Sequence, residues 1–391
     1  MSYNFDEIID RKGYSTYKTD LAVARFGTDD LLPLWVADMD FRTPDFIMNA
    51  INERCRHEIM GYTILPTGYA DPIINWLYKR HQWAVEKSWI EFVGGVVPAI
   101  AYSINAFTKE GDAVIIQTPV YPPFMHYVEC NNRKLVCNEL VLKNDKYEID
   151  FELFEKQIID NEVKMYILCS PHNPGGRIWT KNELEILADI CDKHKVLVIS
   201  DEIHADLALA GYKHVPFASV SDVARDNSIT LMAPSKTFNM PGLGSSFYIV
   251  PNKKIKAVFD RFIDRMDCRA GNIFAYTATQ AAYSYGEEWL LQLLDYLQGN
   301  IDYVDYFVKT NIPQLKVMLP QASFLIWIDF RSLGLNDDEI KNLLVKKAKL
   351  GLNDGPSFGQ GGSGFARLNI ACSRSTLELA MNRLKEAFQR H

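Results

Sequence analysis

Met232-Ala-Pro-Ser-Lys-Thr-Phe-Asn-Met-Pro-Gly-Leu-Gly244 sets one lysine, Lys236, just beyond a short apolar run, Ile229–Met232, in a turn rich in small residues. A lysine there is poorly placed as a mere surface charge, because ligands of α/β sheets collect outside the carboxyl ends of the strands. Partial desolvation at such a point lowers the amine's pKa and favours imine formation. Taken alone, Lys236 is equally well read as a solvated turn lysine; its companions decide between the two.

Working outward, further apolar runs recur at Ala113–Ile116, Lys164–Cys169, Val196–Ile199 and Phe247–Val250. Each is short and bounded by polar or turn residues, the pattern of strands buried on both faces. Helical segments lie between several of them. The clearest runs from Thr180 to about Lys193: Thr180 and Glu183 have capping-box spacing, and Leu184, Leu187, Ala188 and Cys191 share one face. This alternation predicts an α/β fold, a mostly parallel sheet with helices on both sides. From about Glu287 the pattern becomes a long helix, an alternating strand at Phe324–Phe330, a helix over Asp337–Lys349, a strand at Ala366–Ala371 and a closing helix, Thr376–Arg390. The expected organisation is an N-terminal arm (1–45) lying partly with the small domain, a large domain (46–286) and a smaller α/β domain (287–391).

Other strand ends carry matching chemistry. Val196-Leu-Val-Ile-Ser-Asp-Glu-Ile-His ends in Asp201, placed to pair with a protonated ring nitrogen and so keep a pyridine cofactor an electron sink. Glu202, the rival carboxylate, points the other way. In Cys169-Ser-Pro-His-Asn-Pro-Gly-Gly-Arg, Asn173 is placed to donate to a phenolate oxygen, and Ser170–Pro171 or Asn173–Pro174 is a candidate cis bond. Gly94-Gly-Val-Val-Pro precedes an apolar helix, Ala99 to Phe107; the backbone N–H groups of Val96 and Val97, with the Ser235 hydroxyl, would cup a phosphate. Tyr121, in Thr118-Pro-Val-Tyr-Pro-Pro-Phe, could stack on the ring. Each has a plainer reading: a helix cap for Asp201, a tight turn for Asn173, a common Gly-Gly turn, a core tyrosine. Their conjunction points to pyridoxal 5′-phosphate on Lys236 and to amino-acid chemistry.

Composition excludes other classes. A net charge of −7 over 391 residues leaves no footprint for nucleic acid or anionic membrane. No apolar run approaches the ~18–20 residues that span a bilayer, and the N-terminus lacks a signal-peptide pattern. Seven scattered cysteines without a C-x-x-C pair argue against disulfides or structural zinc and for a reducing cytoplasm. The histidines show no ligand spacing, so no metal is expected. Gly359-Gln-Gly-Gly-Ser-Gly matches a dinucleotide fingerprint but precedes a strand-like segment instead of a helix, and is read as a loop.

The segments SPHNPGG, SDEIH and APSKTFNMPGLG together resemble the fold-type I pyridoxal-phosphate enzymes of the class I/II aminotransferase superfamily, across nearly the whole chain. Leu34-Trp-Val-Ala-Asp-Met-Asp-Phe, Gly61-Tyr-Thr, Val96-Val-Pro, Tyr121-Pro-Pro-Phe and His204 are similar to the MalY/PatB subgroup, the cystathionine β-lyase-like C–S lyases. The resemblance implies a large domain with a mostly parallel seven-stranded sheet, Lys236 as the Schiff-base lysine, Asp201 at the ring nitrogen, Asn173 at the phenolate and Tyr121 stacked on the ring. It further implies that Arg367 grips the substrate carboxylate, that the backbone at Val36–Ala37 closes over it, and that Tyr62 reaches the phosphate of a neighbouring subunit in a homodimer. Two positions depart from the wider superfamily. His204 stands where many members have a phenolate-contacting tyrosine, and Gly244 where many have a phosphate-binding arginine. Both departures fit the lyase subgroup. The reaction implied is α,β-elimination from L-cystathionine or related cysteine S-conjugates, with Lys236 taking the α-proton. An aminotransferase is the alternative, and a regulatory protein on the same fold is disfavoured by the retained Lys236.

Overall fold

The computed structural model describes residues 2–389; the expected end of the last helix at Arg390 lies outside them. Seven strands form the central sheet: β1 (Ile90–Val93), β2 (Ala113–Thr118), β3 (Lys134–Glu139), β4 (Met165–Cys169), β5 (Leu197–Asp201), β6 (Ser228–Met232) and β7 (Ser246–Ile249). Their order is β1-β7-β6-β5-β4-β2-β3. All neighbours pair in parallel except β7, which runs antiparallel to both β6 and β1.

The period of two along each strand explains the layering. In β4, Met165, Ile167 and Cys169 face one cluster with Ala99, Ile100 and Ile104 of helix α1 (Val96–Phe107). Tyr166 and Leu168 face the opposite cluster, with Leu184, Leu187, Ala188 and Cys191 of helix α2 (Lys181–Lys193). β2, β4, β5, β6 and β7 are buried at every position, as expected for strands covered on both sides. The capping box at Thr180 is present, the threonine accepting from Glu183 N while the Glu183 carboxylate receives Thr180 N.

The sequence pattern does not announce β1 and β3. β1 interrupts its apolar residues with Glu91, which pairs with Lys256 at 3.1 Å, and β3 is an edge strand with both ends exposed. After helix α3 (Glu287–Asn311), a second sheet contains β8 (Lys316–Met318), β9 (Leu325–Asp329), β10 (Asn353–Asp354) and β11 (Phe365–Asn369), ordered β8-β9-β11-β10. β9, expected to alternate, is instead buried throughout: Leu325, Ile326 and Ile328 join one core cluster and Trp327 another. The helix expected over 337–349 is α-helical at Asp337–Asn342 and continues as a π turn, Leu343–Lys347. Helix α4 (Arg374–Gln389) follows. The N-terminal segment is tied to the second sheet: Leu32–Pro33 pairs with Leu350–Gly351, and Asn353 and Asn369 donate to the carbonyls of Trp35 and Val36. No helix among the described residues is long and apolar enough to cross a membrane.

Candidate active site

The carboxyl ends of the parallel strands and the start of antiparallel β7 converge on one cavity of about 180 Å³. β5 delivers Asp201 and the following turn His204; the loop after β4 delivers Asn173, and that after β2 delivers Tyr121. The loop between β6 and β7 brings Ser235 and Lys236, and the first turn of α1 brings Val96 and Val97. A second cavity, about 500 Å³, contains Arg367, Trp35 and Tyr17, and shares Ala37, Tyr121 and Lys236 with the first. Lys236 therefore stands where the two meet.

The Lys236 Nζ donates to the Ala37 carbonyl at 2.5 Å. Burial pushes its pKa down to about 8, with Asp38 opposing that shift and Arg367 reinforcing it. Asp201 is buried, accepts one backbone bond from Ile203 N at 3.1 Å, and its pKa rises to about 7, chiefly through desolvation. Glu202 turns away as expected. Its carboxylate accepts from Ser200 Oγ and Phe217 N and lies 2.7 Å from His214 Nε2. Burial, aided by the nearby Lys236 and Arg367, lowers His204 to about 3, so it is a neutral imidazole; its Nδ1 has no protein partner.

Arg367 is 3% exposed and pairs with no carboxylate among the described residues. Its Nη1 donates to Asn173 Oδ1 at 3.0 Å and its Nη2 to the Trp35 carbonyl at 2.9 Å, while Nε is buried without a partner. Its guanidinium lies 5.1 Å from the ring centroid of Phe358, and burial lowers its pKa to about 10. A buried cation held only by neutral acceptors keeps an unmet demand for negative charge. With its oxygen engaged by Arg367, Asn173 has its amide N–H left to donate. Both candidate prolyl bonds, Ser170–Pro171 and Asn173–Pro174, are cis, as is Thr118–Pro119.

At the helix α1 end the cavity is lined by Gly94, Gly95, Val96 and Val97, with Ser235, Gly244, Ser245 and Ser246 also on its wall. Gly95 caps α1, whose free N–H groups carry the positive end of the helix dipole. Gly244 has φ +60°, and a Cβ there would lie 3.0 Å from the Gly94 carbonyl oxygen. Any side chain at this position would be strained by both the left-handed φ and that close approach. Among the described residues the only charged side chains on the cavity wall are Asp201 and Lys236. Ser245, whose buried Oγ lacks a partner, was missed by sequence reasoning; its signal is only a hydroxyl after Gly-Leu-Gly. Asp38, within the Leu34–Phe41 stretch, bonds Arg11 and raises the Lys236 pKa. Tyr62 is not brought to the cavity of its own chain and is fully exposed. The Gly-rich stretch after Gly359 packs against backbone: a Cβ on Gly362 would collide with the Gly355 carbonyl.

A lysine and a buried carboxyl on one cavity wall, a helix N-terminus lining the same cavity, and a buried arginine that pairs with no carboxylate among the described residues lie together at this rim. The chain belongs to the class I and II aminotransferases: the family model described as "Aminotransferase class I and II" matches residues 29–384. It is 45% identical over 384 residues to cystathionine beta-lyase PatB of Bacillus subtilis (strain 168), covering 98% of this chain and 99% of that one. The crystal structure of cystalysin from Treponema denticola, which contains pyridoxal 5′-phosphate, superposes with a TM-score of 0.97 at 36% identity, covering all of both chains. The PLP-bound C-S lyase from Staphylococcus hominis gives 0.93 at 32% identity, covering 99% of this chain and 98% of that one.

Proposed function

We propose that this chain is a pyridoxal-phosphate-dependent C–S β-lyase, cleaving L-cystathionine or related cysteine S-conjugates to a thiol, pyruvate and ammonia. The observation that carries the reading is Lys236 at the junction of two cavities, one lined by Asp201, Tyr121 and the first turn of α1, the other by an arginine that pairs with no carboxylate among the described residues. The preference for elimination over amino exchange rests on the relatives named cystathionine beta-lyase and C-S lyase.

The cavity fits the cofactor: among the described residues the Asp201 carboxyl has no cationic hydrogen-bond partner, and the buried Ser245 hydroxyl has none at all, beside a helix N-terminus. Lys236 would be its attachment point, Asp201 its ring-nitrogen partner, Asn173 and His204 neighbours of its phenolate, and Tyr121 its stacking ring. Val96, Val97, Ser235 and Ser245 would hold its phosphate. Bound there, pyridoxal phosphate supplies the electron sink that makes a Cα–H bond acidic and lets a β-thiolate depart. Arg367 orients the substrate by its α-carboxylate, with the backbone at Ala37 closing over it. The Lys236 amine, with a pKa near 8, is then a base suited to removing the α-proton near neutral pH.

The protein would work in the cytoplasm as a homodimer, organised as an arm (1–45), a large domain (46–286) and a small domain (287–391). Exposed Ile59, Met60, Tyr62 and Ile64 support a second copy covering that loop, with Tyr62 reaching its phosphate. Seven free cysteines support a reducing compartment. The test supplies L-cystathionine without any 2-oxo acid and follows pyruvate and thiol together; they should appear in equal amounts. No turnover there, with brisk amino exchange once a 2-oxo acid is added, would refute the lyase reading.

A further inference from the structure

Behind Lys236, away from both cavities, lies a set of buried polar side chains that none of these roles uses. Asp206 is 3% exposed. Its Oδ1 accepts from Trp76 Nε1 at 2.9 Å and lies 2.9 Å from His81 Nε2; its Oδ2 accepts from Thr237 Oγ1 at 3.2 Å. Arg80, from the same helix as Trp76 and His81 (Ala70–His81), donates to the Asp206 backbone carbonyl at 2.8 Å. Burial opposes ionisation of Asp206, but His81, Arg80 and Trp76 outweigh it and hold the carboxyl below its ordinary pKa. His81 meets the ring of His214 edge-on at 5.5 Å, and His214 pairs with Glu202.

The connectivity gives this cluster its meaning. Thr237 directly follows Lys236, and Glu202 directly follows Asp201. Between β6 and the short turn Pro241–Leu243 the lysine loop is a run of turns, Phe238 N donating to the Pro234 carbonyl and Met240 N to that of Ser235, each at 2.9 Å. On its far side Asn239 is bonded to the backbone of Met39 and Phe41. On its near side the side-chain tie is Thr237 to Asp206. Trp76 and His81 hold the same carboxylate from a helix outside the loop, so the Thr237 bond ties the loop to that helix.

We propose that Asp206 and Thr237 are positioning residues for Lys236, fixing the backbone from which its side chain reaches both the attachment point and the α-proton. The inference rests on the reading of Lys236 given above. Misplacing a reacting group by about 1 Å costs on the order of 10²-fold in rate, whereas a substrate held by Arg367 should bind as before.

The test uses the cofactor-loaded protein and the variants Thr237→Val, Thr237→Ser, Asp206→Asn and the double variant D206N/T237V. Thr237→Val should lower kcat by roughly 10- to 100-fold, with KM within about threefold of the parent. It should also change the visible circular dichroism of the bound cofactor, which reports how the ring is held. Thr237→Ser, which keeps the donor, should restore both. The double variant should be no slower than the worse single variant, because one shared bond is lost. Unchanged kcat and dichroism in Thr237→Val, or a loss of thermal stability alone, would overturn the inference. So would additive losses in the double variant. The Thr237 pair keeps the test open even if Asp206→Asn does not fold. A parent protein without a visible cofactor band would instead overturn the function proposed above, so the two failures are distinguishable.

Discussion

Asp201→Asn separates what the buried carboxyl costs the fold from what it does for the cofactor. Asp201 is ionised only with difficulty in the cofactor-free protein, its pKa lying about 7 instead of 3.8. A carboxyl raised in this way contributes stability that is complete below the unfolded value and lost as pH rises through the folded one. Asparagine keeps the acceptor for Ile203 N and removes the titration. At 1.36 kcal/mol per pH unit, the ionisation penalty in the parent is about 1.5 kcal/mol at pH 5 and about 4 kcal/mol at pH 7.5. The variant should therefore gain about 2.5 kcal/mol on the parent between these two pH values, and any pH-independent effect of the amide cancels in the difference. Urea unfolding of both cofactor-free proteins, at one protein concentration, measures it. A gap between variant and parent that does not change with pH would refute the reasoning. With cofactor the order should invert: a neutral amide cannot keep the ring nitrogen protonated, and turnover should fall at least ~100-fold.

Lys236 offers a second pH test. With a pKa near 8, about one-tenth of it is neutral at pH 7, against roughly one in 3,000 for an ordinary lysine. Reductive labelling of the cofactor-free protein by an aldehyde should reach half its maximal rate near pH 8, and a midpoint of 10 or above would contradict this. Asp38 raises the Lys236 pKa, so Asp38→Asn should move that midpoint lower; a shift upward would show the wrong sign. Arg367→Lys replaces a planar fork with a point charge and should raise KM for the amino acid at least ~10-fold in steady-state assays; equal kcat/KM would exclude Arg367 as the carboxylate receptor. Gly244→Ala meets both a left-handed φ of +60° and the Gly94 carbonyl. At about 1–2 kcal/mol it should weaken cofactor binding roughly tenfold in a fluorescence titration, and unaltered affinity would dismiss the cup.

Local pattern carried the buried parallel strands, because apolar residues on both faces leave an uninterrupted run. It failed for β1 and β3, where Glu91 and an exposed edge break the run; the strand expected at Phe324–Phe330 is present as β9, but its two faces meet different cores, so it is buried throughout. The lysine, Asp201, Asn173, Tyr121 and the α1 turn were legible because each follows a strand and all strand ends of one polarity share one rim. What joins the rim from far away was not. Asp38, the Asn239 bonds to Met39 and Phe41, and the Thr237–Asp206 pair depend on contacts between distant segments. Gly244 departs from the wider superfamily in sequence, but its contact with Gly94 exists only in three dimensions.

The reversal of β7 has a consequence for how this site can change. Because β6 and β7 are antiparallel neighbours, with Met232 opposite Phe247, one loop leaves and re-enters the sheet at the same rim. That loop bears Lys236 near its start and Gly244 and Ser245 at its end. The chain between Lys236 and Ser245 is thus a fixed length held by paired strands at both ends, a ruler whose two marks are the amine and the hydroxyl that the proposed function assigns to the cofactor. Side chains along it can be exchanged one at a time, but adding or deleting a single residue resets both marks together.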